Sequence, residues 1–127
     1  MTMLPLHTEI LVVEDEPLIG FEIGLILEEA GATVIGPLRT LAEALAMIRG
    51  STPSAAILDM RLGADEIGPV AEALAAKGVP FVFHTGHGDA SALGVWRDRP
   101  IIYKPAPPEQ IIAAVLAVLD PRRPQVR

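Results

Sequence analysis

A chain of 127 residues, half of them hydrophobic, is the size of one ordinary domain and carries enough apolar side chain for a substantial core. Its net charge of -6 argues against a nucleic-acid surface, although Arg122, Arg123 and Arg127 make the last residues locally basic. The lack of cysteine excludes disulfides, thiolate metal sites and thiol nucleophiles together, and no stretch reads as a membrane span or targeting signal, so a cytoplasmic protein is expected.

Taken in order, residues 1–8 read as an N-terminal extension, 9–120 as one domain and 121–127 as a flexible tail. Glu9 to Val13 is a short apolar strand candidate. Glu14, Asp15 and Glu16 follow it directly, and Pro17 then stands where a first helical turn tolerates proline. The helix should run to about Ala30 before Gly31 stops it, with Leu18, Phe21, Leu25 and Ile26 as its buried face and Glu22, Glu28 and Glu29 outside. Gly20 and Gly24 weaken its propensity, so burial must hold it. Thr33 to Gly36 is a second strand, and the capping-box pattern from Thr40 to Glu43 opens a second helix that ends at Gly50.

The run from Ala55 to Leu62, bounded by Pro53-Ser54 and Gly63, reads as a buried strand with Asp59 where the chain leaves the core. Taken alone, Asp59 suits a turn as well as it suits chemistry. Gly68 to Lys77 is a third helix with Pro69 in its first turn, and Val79 to Phe83 a fourth strand. Ala90 to Trp96 offers a short helix containing Gly94, and Ile101 to Tyr103 a fifth strand. Pro107 and Pro108 introduce the last helix, whose apolar face holds Ile111, Ile112, Val115, Leu116 and Leu119.

Strands alternating with helices imply an α/β domain: a doubly wound five-stranded parallel sheet of order 2-1-3-4-5, flavodoxin-like, with helices on both faces. In such a sheet the C-terminal strand ends share one edge, which brings together Glu14 and Asp15, Asp59, His84 and Thr85, and Lys104. Each has a plain explanation by itself: acidic residues complement a helix dipole, threonine suits a turn and lysine an exposed loop. Together they make an acid pocket. Three close carboxylates repel one another until a cation joins them, and oxygen ligands favour Mg²⁺ over zinc.

The segments Val-Val-Glu14-Asp15-Glu-Pro, Ile-Leu-Asp59-Met, Phe-His-Thr85-Gly and Tyr-Lys104-Pro105 resemble the motifs of two-component response-regulator receiver domains, which are CheY-like in fold, over nearly the whole chain. The resemblance implies a stand-alone receiver in a phosphorelay, with no enzymatic activity beyond catalysing its own phosphorylation and dephosphorylation. Asp59 would accept phosphate from a histidine kinase or phosphotransfer protein. Asp15, Asp59 and the backbone carbonyl of Arg61 would hold Mg²⁺, with Glu14 binding directly or through water. Thr85 would hydrogen-bond a phosphoryl oxygen, Lys104 would pair with the phosphoryl group, and the Lys104-Pro105 bond would be cis.

Pro80 to Gly88 resembles a Phe-x-Thr-Gly subfamily often paired with kinases of the HWE type. Its output would be contact with an unknown protein target, or uptake of phosphate as a sink, without nucleic acid or membrane insertion. Ile101 stands where receivers usually carry a switch aromatic, so the loop after Thr85 and the short fourth helix are the expected moving parts. His84 and His87 read as neutral loop histidines and Trp96 as surface packing. Two alternatives remain: an Mg²⁺-dependent aspartyl phosphatase or phosphotransferase, disfavoured because no carboxylate stands two residues after Asp59, and a phosphate-independent interaction module.

Overall fold

The computed structural model describes residues 2–63, 65–86, 94–96 and 98–120. In chain order it contains β1 (Glu9–Val13), α1 (Pro17–Glu29), β2 (Thr33–Leu38), α2 (Leu41–Gly50), β3 (Ala55–Leu58), β4 (Arg61–Leu62), β5 (Asp65–Glu66), α3 (Gly68–Ala76), β6 (Phe81–Thr85), β7 (Ile101–Tyr103) and α4 (Pro108–Leu119). Five strands join in the order β2-β1-β3-β6-β7, and every pair is parallel. Counted along the sheet, this is the expected 2-1-3-4-5 arrangement. No helix among the described residues is long and apolar enough to cross a membrane.

Strand alternation divides the core in two. Leu11, Val13, Ala56, Leu58, Phe81 and Phe83 pack against α2 and α3, while Ile10, Val12, Ile57, Val82 and Ile102 pack against α1 and α4. The central strand β3 is buried along its whole length, so its successor Asp59 is delivered to the sheet edge by a rigid element. Thr40 caps α2 as its sequence requires: its hydroxyl accepts from the Glu43 N–H while the Glu43 carboxylate accepts from the Thr40 N–H.

The expected face of α1 is overturned. Leu18, Phe21 and Leu25 are exposed, Ile26 is half-buried, and the stripe against the sheet is Gly20, Ile23, Gly24 and Leu27. The reason is close approach: a Cβ on Gly20 would lie 2.8 Å from Pro37 Cβ. The glycines let the helix sit down on β2, and the bulkier apolar residues are turned outward.

Other elements differ from expectation. The strand expected over Ala55 to Leu62 ends at Leu58, and Arg61–Leu62 instead pairs antiparallel with Asp65–Glu66, Arg61 opposite Glu66 and Leu62 opposite Asp65. The fourth sheet strand runs on to Thr85, so His84 is a buried strand residue and not a loop histidine. Trp96 is half-buried against Phe81, with ring centroids 5.7 Å apart, and so packs at the surface as expected. Of the expected helix from Ala90 to Trp96, residues 94–96 form a single 3-10 turn, while 87–93, including His87, lie outside the described residues, as does the tail 121–127. At the other end, Leu4 is buried in the core and its N–H donates to the Ala30 carbonyl at 2.8 Å, so the segment before β1 packs against the end of α1.

Candidate functional site

The sheet's C-terminal edge brings together all the residues singled out there. Asp15, Glu16, Asp59, Arg61, Gly63, Thr85 and Lys104 line a cleft of about 430 Å³. Glu14, the residue after β1, lies behind it with only 1% of its surface exposed. Strand register explains the convergence. Val13 pairs with Leu58, and Thr85 with Tyr103, so the residues that follow or end these strands reach the edge at the same level.

Lys104 is the centre of the electrostatics. Its Nζ lies 2.8 Å from Glu14 Oε1 and 3.1 Å from Asp59 Oδ2, so the ammonium bridges the two carboxylates. Burial pulls the Lys104 ammonium down, but hydrogen bonding and charge from Glu14 and Asp59 outweigh it and hold the group above its ordinary value. Burial also pushes the Glu14 carboxyl up to about 7, against the stabilising contact with Lys104 and with further help from Asp59. His84 moves the other way. Burial pulls its imidazole down to about 4, the charge of Lys104 acts in the same direction, and its Nδ1 has no hydrogen-bond partner.

Glu14, Asp15 and Asp59 each offer a carboxylate oxygen within 4.8 Å of the others, and this acidic cluster could hold a metal ion. The buried Glu14 Oε1 has the Lys104 ammonium 2.8 Å away as its charged partner. A donor set made only of carboxylate oxygens fits a hard divalent cation. The Arg61 N–H approaches Asp59 Oδ1 at 3.4 Å, and Arg61 lines the cleft. The Lys104-Pro105 peptide bond is cis, as the resemblance implies, and a second cis bond joins Gly36 to Pro37.

Two contributors escape a reading of sequence. The N–H of Gly63, at the hairpin turn, donates to Asp15 Oδ2 at 2.8 Å, and the N–H of Glu16 donates to Glu14 Oε2 at 3.2 Å. The signal for the first was present in Gly63, a glycine between the pairs Arg61-Leu62 and Asp65-Glu66, but a four-residue ladder is too brief to show a period.

No family model matches the chain. It is 33% identical over 119 residues to the phyllosphere-induced regulator PhyR of Methylorubrum extorquens, a match covering 88% of this chain and 43% of the relative. The chain thus spans less than half the length of that curated protein. Among solved structures, SdrG from Sphingomonas melonis Fr1 is 44% identical with a TM-score of 0.77, covering 89% of this chain and 99% of SdrG. A BeF3-activated conformation of SdrG matches with a TM-score of 0.73. A response regulator receiver protein from Sinorhizobium medicae WSM419 is 26% identical with a TM-score of 0.82, covering 91% of this chain and 97% of its own.

Proposed function

Because the chain belongs to the response-regulator receiver family and is a phosphoacceptor in signalling, we propose that Asp59 is the residue that takes the phosphoryl group. The observation that carries this reading is the position of Lys104 Nζ, bridging Asp59 and Glu14 at the mouth of the acidic cluster. Asp59 needs no general base. As a carboxylate it attacks phosphorus directly, its new P–O bond forming as the P–N bond of a kinase phosphohistidine breaks, and the pair of electrons leaves with the imidazole.

Lys104 holds the nucleophile in place before transfer and stands next to the charge that develops on the phosphoryl oxygens. Thr85, buried at the end of β6 and lining the cleft, supplies a hydroxyl for one of those oxygens. Glu14, Asp15, Asp59 and the Arg61 carbonyl are the groups that would hold Mg²⁺. When bound, that ion relieves repulsion among the carboxylates and takes up charge from the phosphoryl group. Thr85 and Lys104 then also favour loss of phosphate to water by the same charge stabilisation, so the protein catalyses only its own modification.

The donor in this reading is a histidine kinase or phosphotransfer protein in the cytoplasm, with an HWE-type kinase favoured by the Phe83-His84-Thr85-Gly86 sequence. The existence of a BeF3-activated form of SdrG supports a phosphorylation-driven change. Output passes to a protein target, or the chain serves as a phosphate sink. Incubation with acetyl phosphate and Mg²⁺ should give one acid-labile phosphoryl group that EDTA prevents and Asp59→Asn abolishes. Labelling that survives this substitution would overturn the assignment.

A further inference from the structure

The β4–β5 hairpin meets the acidic cluster through Gly63, which lines its cleft. Leu62 and Ile67 are both buried, and the Ile67 N–H bonds to the Met60 carbonyl at 3.1 Å, so both ends of the hairpin are fixed to the core. Gly63, between them, reaches Asp15 across 48 residues of sequence through its 2.8 Å N–H bond to Oδ2. Asp15 and Gly63 also both line a second cleft of about 410 Å³, whose far wall includes Thr40 and Glu43 at the start of α2. The bonded pair therefore borders both clefts.

We propose that Gly63 is a positioning residue for the cation site: its backbone N–H fixes the Asp15 carboxylate so that the cluster meets a divalent ion already arranged. This rests on the reading that Glu14, Asp15 and Asp59 hold such an ion. Two physical points support it. A carboxylate with one oxygen tied to a rigid donor loses less freedom when it ligates, and partners of this kind tune metal affinity. The geometry also depends on a backbone angle that few residues adopt, since Gly63 has φ +62°. A Cβ there meets nothing within 4 Å, so the requirement is for backbone conformation and not for space.

That distinction makes the test clean. Asparagine tolerates the left-handed region and keeps the N–H, whereas a β-branched residue is a strong outlier there and must reshape the turn. Mg²⁺ affinity measured by titration calorimetry should fall on the order of 10-fold in Gly63→Val and stay near the wild-type value in Gly63→Asn. In cation-free protein the Gly63 amide should be protected from hydrogen exchange, and Asp15→Ala should remove that protection. Equal affinity in wild type and Gly63→Val, or equal losses in both Gly63 variants, would overturn this inference alone. Failure of the wild-type protein to bind Mg²⁺ would overturn the cation site as well.

Discussion

Glu14 and His84 lie near Lys104 with pKa values displaced in opposite senses, and their pH effects on stability oppose each other. The native His84 has a pKa of about 4 against 6.5 when unfolded, so the unfolded chain takes up a proton first and native stability falls as pH drops from 6.5 towards 4. Glu14 has a native pKa of about 7 against 4.5, so the native state keeps a proton that the unfolded chain has lost. Its contribution is fully present below 4.5 and is lost as pH rises through 7. Each effect spans about 3 kcal/mol. Without divalent cation the two slopes oppose each other, so the unfolding free energy from urea titrations should depend less on pH between 4.5 and 6.5 than it does when either group is removed. In Glu14→Gln it should rise with pH across that window, and in His84→Leu it should fall. Parallel profiles in all three proteins would contradict this account.

At the level of elements, α1 makes the sharpest claim. The Cβ of Gly20→Ala would meet the rigid Pro37 ring at 2.8 Å, so this substitution should cost about 1–3 kcal/mol despite alanine's better helix propensity. At Gly24 the nearest atom is Val34 Cγ1 at 4.0 Å, an ordinary contact, and Gly24→Ala should be neutral or stabilising by up to about 1 kcal/mol. Chemical denaturation of the two variants checks the contrast, and equal effects would refute the close approach. The same helix shows where sequence is legible. Hydrophobicity alone points Leu18, Phe21 and Leu25 inward, because a glycine stripe contributes nothing to an apolar pattern even when it is the packing face. The strands were legible, since β1, β3 and β7 are short apolar runs between turn signals, and so was their order. The site followed because charged residues that end apolar strands have one edge in common. The hairpin was hidden by its brevity, and the burial of His84 by a strand that runs two residues past its last aromatic.

For the molecule as a whole, the acidic cluster sits at the C-terminal ends of β1 and β3, beside the point where the chain switches from one face of the sheet to the other. A ligand that binds only the native state raises its stability in proportion to the logarithm of concentration. At 100 times its dissociation constant, Mg²⁺ should add about 2.7 kcal/mol. Asp15→Ala should lose most of that increment while remaining at least as stable as wild type without the ion, because one source of repulsion is gone. Thermal unfolding with and without Mg²⁺ separates the two effects, and an undiminished increment in the variant would remove Asp15 from the ligand set.

Trp96 is the chain's one tryptophan, and it rests on Phe81 at the start of β6, with the Arg99 guanidinium 4.8 Å from the Phe81 ring and 5.4 Å from its own. Thr85, at the other end of that strand, is four residues on, roughly 13 Å away along an extended backbone. The chain's indole emission therefore arises at the edge opposite the carboxylates. A change in intensity on adding cation or phosphodonor would record communication along β6 rather than occupancy of the cleft, and a silent signal would be compatible with a full site. Occupancy and transmission thus become separately measurable in the unaltered protein, one by calorimetry and the other by light.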